Sequence, residues 1–210
     1  MLVSSGFRKK IHKHFKNLTI SSDYTESIEE HSLWIDTELM SPDLFKKNIK
    51  FIDRFPKRMN VDSPYNVLEI FFDLHSDKSN YLLEEYKFLK TTLLLLSYSN
   101  DIIISTNYID YKKECENIED VISKEDIENL KIIKNNLFQF KDIKNDYFAI
   151  NSLLKLAFRE KIFINIFLLD LEISFDINSL SVMIYIENNT DFINIIEKIC
   201  SIEGLYLRNN

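Results

Sequence analysis

The sequence predicts an α/β or α+β fold, a single globular domain over residues 1–210 with a mixed sheet flanked by helices, and three observations carry that expectation. Two segments repeat apolar residues with helical period: Ile150, Leu153, Leu154, Ala157 and Phe158, then Phe192, Ile195, Ile196, Ile199 and Cys200. Between them, 162–176 and 181–187 are rich in Ile, Phe and Val and are joined through Asn178 and Ser179, residues suited to a turn; a carboxy-terminal helix–hairpin–helix unit follows. The apolar fraction of 45% suffices for a sizeable core, and no internal repeat or glycine-serine linker divides the chain.

From the amino end, Phe7, Ile11 and Phe15 recur every four residues with Lys9, Lys13 and Lys16 on another face, which predicts a short amphipathic helix. Ser41, Pro42 and Asp43 supply a cap, a first-turn proline and an acid at the positive end of the helix dipole, so a second helix is expected from there to about Phe55. Pro56 and Pro64 bracket a turn segment, and 65–74 reads as a strand. With Asp77 as a cap, a long helix is expected to carry Leu82, Tyr86, Leu89, Leu93 and Leu96 as its buried seam. A buried strand is expected over 101–111, then an acidic exposed connection. Ser123 with Asp126 makes a capping box, followed by a helix through Ile127, Leu130, Ile133 and Leu137. Gly204 stands where a left-handed residue ends the final helix, and 205–207 can add an edge strand.

Gly6 and Gly204 are the only glycines. Phosphate-cradling loops, dinucleotide-binding turns and nucleophile elbows need glycine where the backbone takes positive φ or approaches a ligand, so none of these motifs is present. Alanine, proline and arginine are scarce as well, while Ile, Asn, Lys, Phe and Tyr abound. That pattern is the mark of an AT-rich gene. The opening residues lack the apolar core and cleavage site of a secretory signal, no stretch reaches eighteen apolar residues, and the two cysteines suit a reducing compartment; a cytoplasmic protein is expected.

Catalytic groups are few. His12 and His14, two apart on a helix, point in different directions and do not share an ion, and neither His31 nor His75 has a second ligand placed by spacing. Cys200 falls on an apolar stripe, and Cys115 lies between Glu114 and Glu116, which disfavour a thiolate. The remaining catalytic route is a ladder of Asp170, Glu172 and Asp176, which would share one face of a single strand and hold a divalent ion for phosphodiesterase or nuclease chemistry, though without the neighbouring lysine such chemistry wants. No resident cofactor or structural metal is implied.

Net charge is −7 and is arranged in blocks. Residues 1–22 hold five Lys and Arg and no acid; residues 23–45 hold seven acids and neither Lys nor Arg. A second acidic stretch spans 110–128. Aromatics stand beside both: Tyr24 and Trp34 with Glu29, Glu30, Asp36 and Glu38, then Tyr111 with Glu114, Glu116, Glu119 and Asp120. Aromatic anchors among carboxylates suit capture of a basic protein, the rings supplying contact energy and the charges raising the association rate. Overall acidity argues against nucleic acid, and no membrane partner is implied.

Small, acidic, without catalytic motifs and AT-rich in coding, the chain resembles the immunity proteins of bacterial polymorphic and contact-dependent toxin systems. Tyr185, Glu187, Asn189 and Asp191 also resemble a Tyr-Asp-Asp-Arg-Gly-x-Asp pattern of one bacterial family, which places it after a strand hairpin near the carboxy terminus; here Ile186, Asn188 and Asn189 replace the first Asp, the Arg and the Gly. The resemblance implies a cognate protein toxin as partner and stoichiometric occlusion as mechanism. An interaction module of a virus or mobile element is the other non-enzymatic alternative.

Overall fold

The β-branched and aromatic runs form a sheet whose central strands are buried on both faces. The computed structural model describes residues 3–24, 30–58, 72–73, 78–115, 117–140 and 143–209, with the side chains of 3–5, 23–24, 30–31 and 143–145 outside that description. Seven strands in the order β5 (Leu137–Phe140), β4 (Ile102–Thr106), β6 (Ile164–Leu168), β7 (Ile173–Ile177), β8 (Val182–Ile186), β3 (Ile49–Asp53) and β9 (Tyr206–Asn209) form one sheet. Every ladder in it is antiparallel, which makes the fold α+β.

Alternate residues of these strands enter two separate cores. Ile102, Ile104, Ile164, Ile166, Leu168, Ile173, Phe175, Ile177, Val182 and Ile184 point to one face, where they meet α3 (Ser79–Leu96), α6 (Ile143–Phe158) and α7 (Thr190–Glu203). The other face carries Ile103, Phe167, Tyr185 and Ile49. They meet α1 (Val3–His14), whose Ile11 is buried and is followed by buried Phe15, and a hairpin of β1 (Ile20–Tyr24) and β2 (Glu30–Ile35). The short α2 (Pro42–Asn48) joins this side through Leu44 and Phe45.

The hairpin docks on the sheet through buried polar side chains. Leu33 N–H donates to the Ser105 hydroxyl at 2.6 Å and Ile35 N–H donates to the Asn165 amide oxygen at 3.0 Å. These two acceptors, on β4 and β6, are 0% and 1% exposed, and they satisfy strand N–H groups that would otherwise be buried without partners. A second anchor is Glu187, 6% exposed, which accepts from Asn17 N–H at 3.1 Å and from the Tyr185 hydroxyl at 2.5 Å; Asn48 donates to its backbone carbonyl at 3.3 Å. The ends of α1 and α2 are thereby tied to the end of β8.

Several expected boundaries move, each for a tertiary reason. Ser41 caps α2 as expected, accepting from Leu44 N–H, but the helix stops at Asn48 and does not reach Phe55. Residues 49–53 pair instead with both β8 and β9, which buries Ile49 and Ile52 on opposite faces as no helix could. The Ser123–Asp126 capping box is present, yet α5 (Lys124–Asn129) gives way to a 3-10 turn at Leu130, and Leu137 begins β5. The strand expected over 101–111 ends at Thr106; α4 (Tyr108–Glu114) follows, so the acidic connection is partly helical. Residues 162–176 hold two strands, β6 and β7, joined by a tight turn. The expected strand 65–74 lies outside the described residues except for Phe72 and Asp73, which are not in a strand, and the expected cap Asp77 is also outside them.

α6 and α7 match their apolar periodicity, and Gly204 ends α7 at φ +73° with β9 beyond it as an edge strand. Glu160 (φ +59°) and Glu172 (φ +55°) take the left-handed conformation at two other turns where glycine is the usual residue. Their presence there follows from a glycine-poor composition, with strain of about 1 kcal/mol each.

Replacing Asn165 with Ala leaves Ile35 N–H buried without an acceptor, so Asn165→Ala is expected to lower unfolding free energy by about 1–3 kcal/mol. Urea denaturation measures it; a change within 0.5 kcal/mol, of order RT, would mean that the hairpin does not depend on this contact.

Candidate functional site

The two acidic, aromatic blocks belong to opposite sides of the sheet. Trp34 and Asp36 sit on or beside β2, in the layer with α1 and α2; Tyr111, Glu114, Glu119 and Asp120 sit on α4 and the 3-10 turn after it, which pack with the helical face. They therefore do not form one surface. Trp34 is half-buried, and Asp36 is occupied locally: it accepts the Ser21 hydroxyl at 2.5 Å and the N–H groups of Leu39 and Glu38 at 3.1 and 3.2 Å. The Ser21 hydroxyl foremost, with those N–H groups, holds its carboxyl below the usual range despite partial desolvation. Glu38 is exposed. Glu29 and Glu116 lie outside the described residues, as do the side chains of Tyr24 and Glu30.

In the second block, Tyr111 is half-buried and its oxygen accepts from the Cys115 thiol at 3.3 Å; burial pushes its phenol well above its ordinary pKa. Glu114, Glu119 and Asp120 are exposed, and Glu119 is 3.9 Å from Lys124 in a pair open to solvent. These carboxylates are available to steer a partner from a distance, while Tyr111 is not a free anchor.

The carboxylate ladder does not exist. Asp170 and Glu172 lie in the turn between β6 and β7, and only Asp176 lies in a strand, four residues beyond Glu172 and so about 13 Å away at strand rise. Asp170 accepts from the Ser99 hydroxyl and from Asn100 N–H, closing the turn after α3. Glu172 accepts from the Asn188 amide at 3.2 Å. The turn was hidden because the residues around it keep the apolar alternation of one long strand. Among the described residues no three His, Cys, Asp or Glu side chains come together as a metal site. Cys200 is fully buried, and burial raises its thiol to about 12.

The segment Tyr185–Asp191 is structural. Tyr185 and Glu187 build the buried anchor beneath α1 and α2, and Asn189 caps α7 by accepting from Phe192 N–H at 3.2 Å.

What sequence reasoning missed is the outer face of the helical layer. α3 is present as expected, but Leu82 and Tyr86, placed in its buried seam, are 42% and 63% exposed. The buried side of α3 carries Tyr81, Glu85, Phe88, Thr91, Thr92 and Leu95, together with Leu89, Leu93 and Leu96 of the expected seam. Glu85, at 3% exposure, is held there by a two-pronged pair with Arg159 at 2.6 and 2.7 Å. Leu89, Leu93 and Leu96 of the expected seam are buried, and the seam departs from the buried face at its first two positions, where Tyr81 and Glu85 turn inward in place of Leu82 and Tyr86. The remaining apolar residues are left facing water.

Those residues line a trough of about 550 Å³ between α3 and α6, formed by Tyr86, Leu89, Lys90, Leu93, Leu94, Ser97, Tyr147, Asn151 and Lys155. Phe148, 61% exposed, stacks edge-on with Tyr147 at 5.4 Å beside it. Both lysines of the trough are ion-paired: Lys90 is 2.7 Å from Glu203 at the end of α7, and Lys155 is 2.7 Å from the buried Asp126 of α5. Burial raises the Asp126 pKa, but its bonds from Lys155, Ser123 and Ser152 outweigh that and leave it lowered. The lysine stems thus extend the apolar walls, with the Lys90 ammonium at an exposed rim and the partly exposed Lys155 ammonium turned toward Asp126. The signal available in the sequence was the surplus of apolar residues on α3, more than one buried stripe requires.

No protein-family profile, no curated protein and no solved structure matches the chain. Among the described residues no helix is long and apolar enough to cross a membrane.

Asp176 is half-buried on β7 opposite Asn165 and Met183, and desolvation raises its pKa from 3.8 to about 6. A carboxyl raised on folding stabilises the fold below its unfolded pKa, and that contribution is lost as pH climbs through the folded value. Wild-type stability relative to Asp176→Asn is therefore expected to fall between about pH 4 and 6, and the variant to be more stable at pH 7 by up to about 3 kcal/mol. Parallel pH–stability curves of the two proteins would contradict this.

Proposed function

We propose that the protein is a toxin-neutralising immunity protein of the cytoplasm, which binds its cognate protein toxin through the outer face of the helical layer and blocks the toxin by occlusion. The observation that carries this reading is the exposed apolar and aromatic face of α3 and α6, where Leu82, Leu83, Tyr86, Leu94, Tyr147 and Phe148, each more than 40% exposed, gather on two neighbouring helices, while among the described residues the other exposed large apolar ones, Leu39, Tyr98, Ile132, Ile202 and Tyr206, belong to separate elements and connections. Rigid aromatic side chains on a helix surface lose little entropy on binding and supply most of the energy in protein interfaces. Exposed Glu114, Glu119 and Asp120, on the helical side of the sheet, add a long-range attraction for a basic toxin. Occlusion needs one toxin per copy and no chemistry from the inhibitor.

The test is co-expression and titration with the product of a toxin-like gene adjacent to this protein's own gene. Stoichiometric binding and rescue of growth are expected; absence of both contradicts the reading. Tyr86→Ala and Phe148→Ala are each expected to weaken binding about 30-fold or more, mainly by faster dissociation. Glu119→Lys combined with Asp120→Lys should instead slow association at low salt and have little effect at high salt.

A further inference from the structure

We propose that the trough between α3 and α6 receives an amphipathic α-helix of the partner, with its apolar stripe against the floor and acidic side chains along its borders; this rests on the protein-binding reading of the same face. Tyr81 at the start of α3 donates to the Phe158 carbonyl at the end of α6, and residues of both helices line one trough along their lengths, so the two helices run antiparallel. On α3 the trough residues fall at 86, 89, 90, 93, 94 and 97, and on α6 at 147, 151 and 155. These are unbroken stripes of about 16 Å and 12 Å along the two axes, two to three helical turns.

The lining chooses between occupants. A partner strand or extended peptide of that length would bury several backbone N–H and C=O groups, and the uncharged polar groups of the trough are Ser97, Asn151 and the hydroxyls of Tyr86 and Tyr147. A helix satisfies its backbone internally and presents only side chains, so it meets a wall of Leu, Tyr and lysine stems without that penalty. Leu89 and Leu93 form a floor one turn apart, matching anchors at i, i+3 or i+4, and i+7 on the incoming helix. Lys90 and Lys155 stand on opposite walls. Each ammonium has three donors, and each is engaged by one carboxylate, of Glu203 and Asp126, so acids on the borders of the helix find donors on both sides.

The experiment measures the Kd of the same adjacent-gene toxin for the unaltered protein, for Asn151→Trp and Ser97→Trp, which fill the trough from either side, and for Ile202→Glu on α7 as a control. Each filled variant is checked by circular dichroism and thermal melting; one that melts early is replaced by Leu94→Glu, whose position is already 41% exposed. At least a tenfold loss of affinity is expected for the filled variants and none for the control. A proline scan of the toxin segment protected by this protein from proteolysis should then show a loss of 100-fold or more at its centre, as a helix requires. If the toxin binds but filling the trough leaves Kd unchanged, or the protected segment tolerates central proline, the helix proposal falls and the wider reading stands. If the unaltered protein does not bind the toxin, both fall.

Discussion

The architecture depends on a sheet that must be covered on both faces. Antiparallel sheets commonly leave one face to water, but every residue of β4 and of β6 is buried here, and β7 and β8 are nearly so. Isoleucines fill one side. On the other, apolar residues alternate with Ser105, Asn165, Ser174 and Asp176, which a cover made only of hydrocarbon would leave unsatisfied. The hairpin meets part of that demand by turning the N–H groups of β2 toward Ser105 and Asn165. Its polar contacts therefore also fix how it lies on the sheet. The demand is not met everywhere: the Ser174 hydroxyl has no protein partner among the described residues, and Asp176 responds to its surroundings by holding its proton more tightly.

On the helical side, the same need for complete cover fixes α3 and α6 by charge as well as by packing. The Glu85–Arg159 pair lies under the layer, and Asp126 ties α5 to α6 through Ser152 and Lys155. Removing either partner of such a pair would leave a buried charge, so these contacts select one rotation of each helix over others. Fixing the rotation of α3 in this way turns Tyr86 and Leu94 outward. The exposed apolar face is thus a consequence of how the interior is satisfied.

Legibility in the sequence followed the strength of local signals. α6 and α7 were readable because their apolar stripes coincide with their buried faces, and the caps at Ser41, Ser123 and Gly204 because side-chain or left-handed capping is a local property. α2 was overextended because Ile49–Asp53 becomes a strand only through pairing with β8 and β9, remote in sequence. The break between β6 and β7 was hidden because a turn built with Glu172 in place of glycine leaves no compositional mark. The candidate site was the least readable part. The seam on α3 is core at Leu89, Leu93 and Leu96 but not at Leu82 and Tyr86, and only Glu85 with its distant partner Arg159 reveals which side of the first turns faces inward. The acidic blocks were visible as charge, but not that the sheet separates them or that Asp36 and Tyr111 are engaged locally.

The central claim is that partners dock on the outer face of α3 and α6. Amide NMR spectra of the isotope-labelled protein, alone and with one equivalent of the adjacent-gene toxin, test it directly. Shift changes should concentrate in α3 and in the exposed turns of α6 around Tyr147 and Asn151, with the β1–β2 hairpin and the α4–α5 region little affected. Changes centred on the hairpin or on residues 108–132, with α3 and α6 unperturbed, would contradict the account.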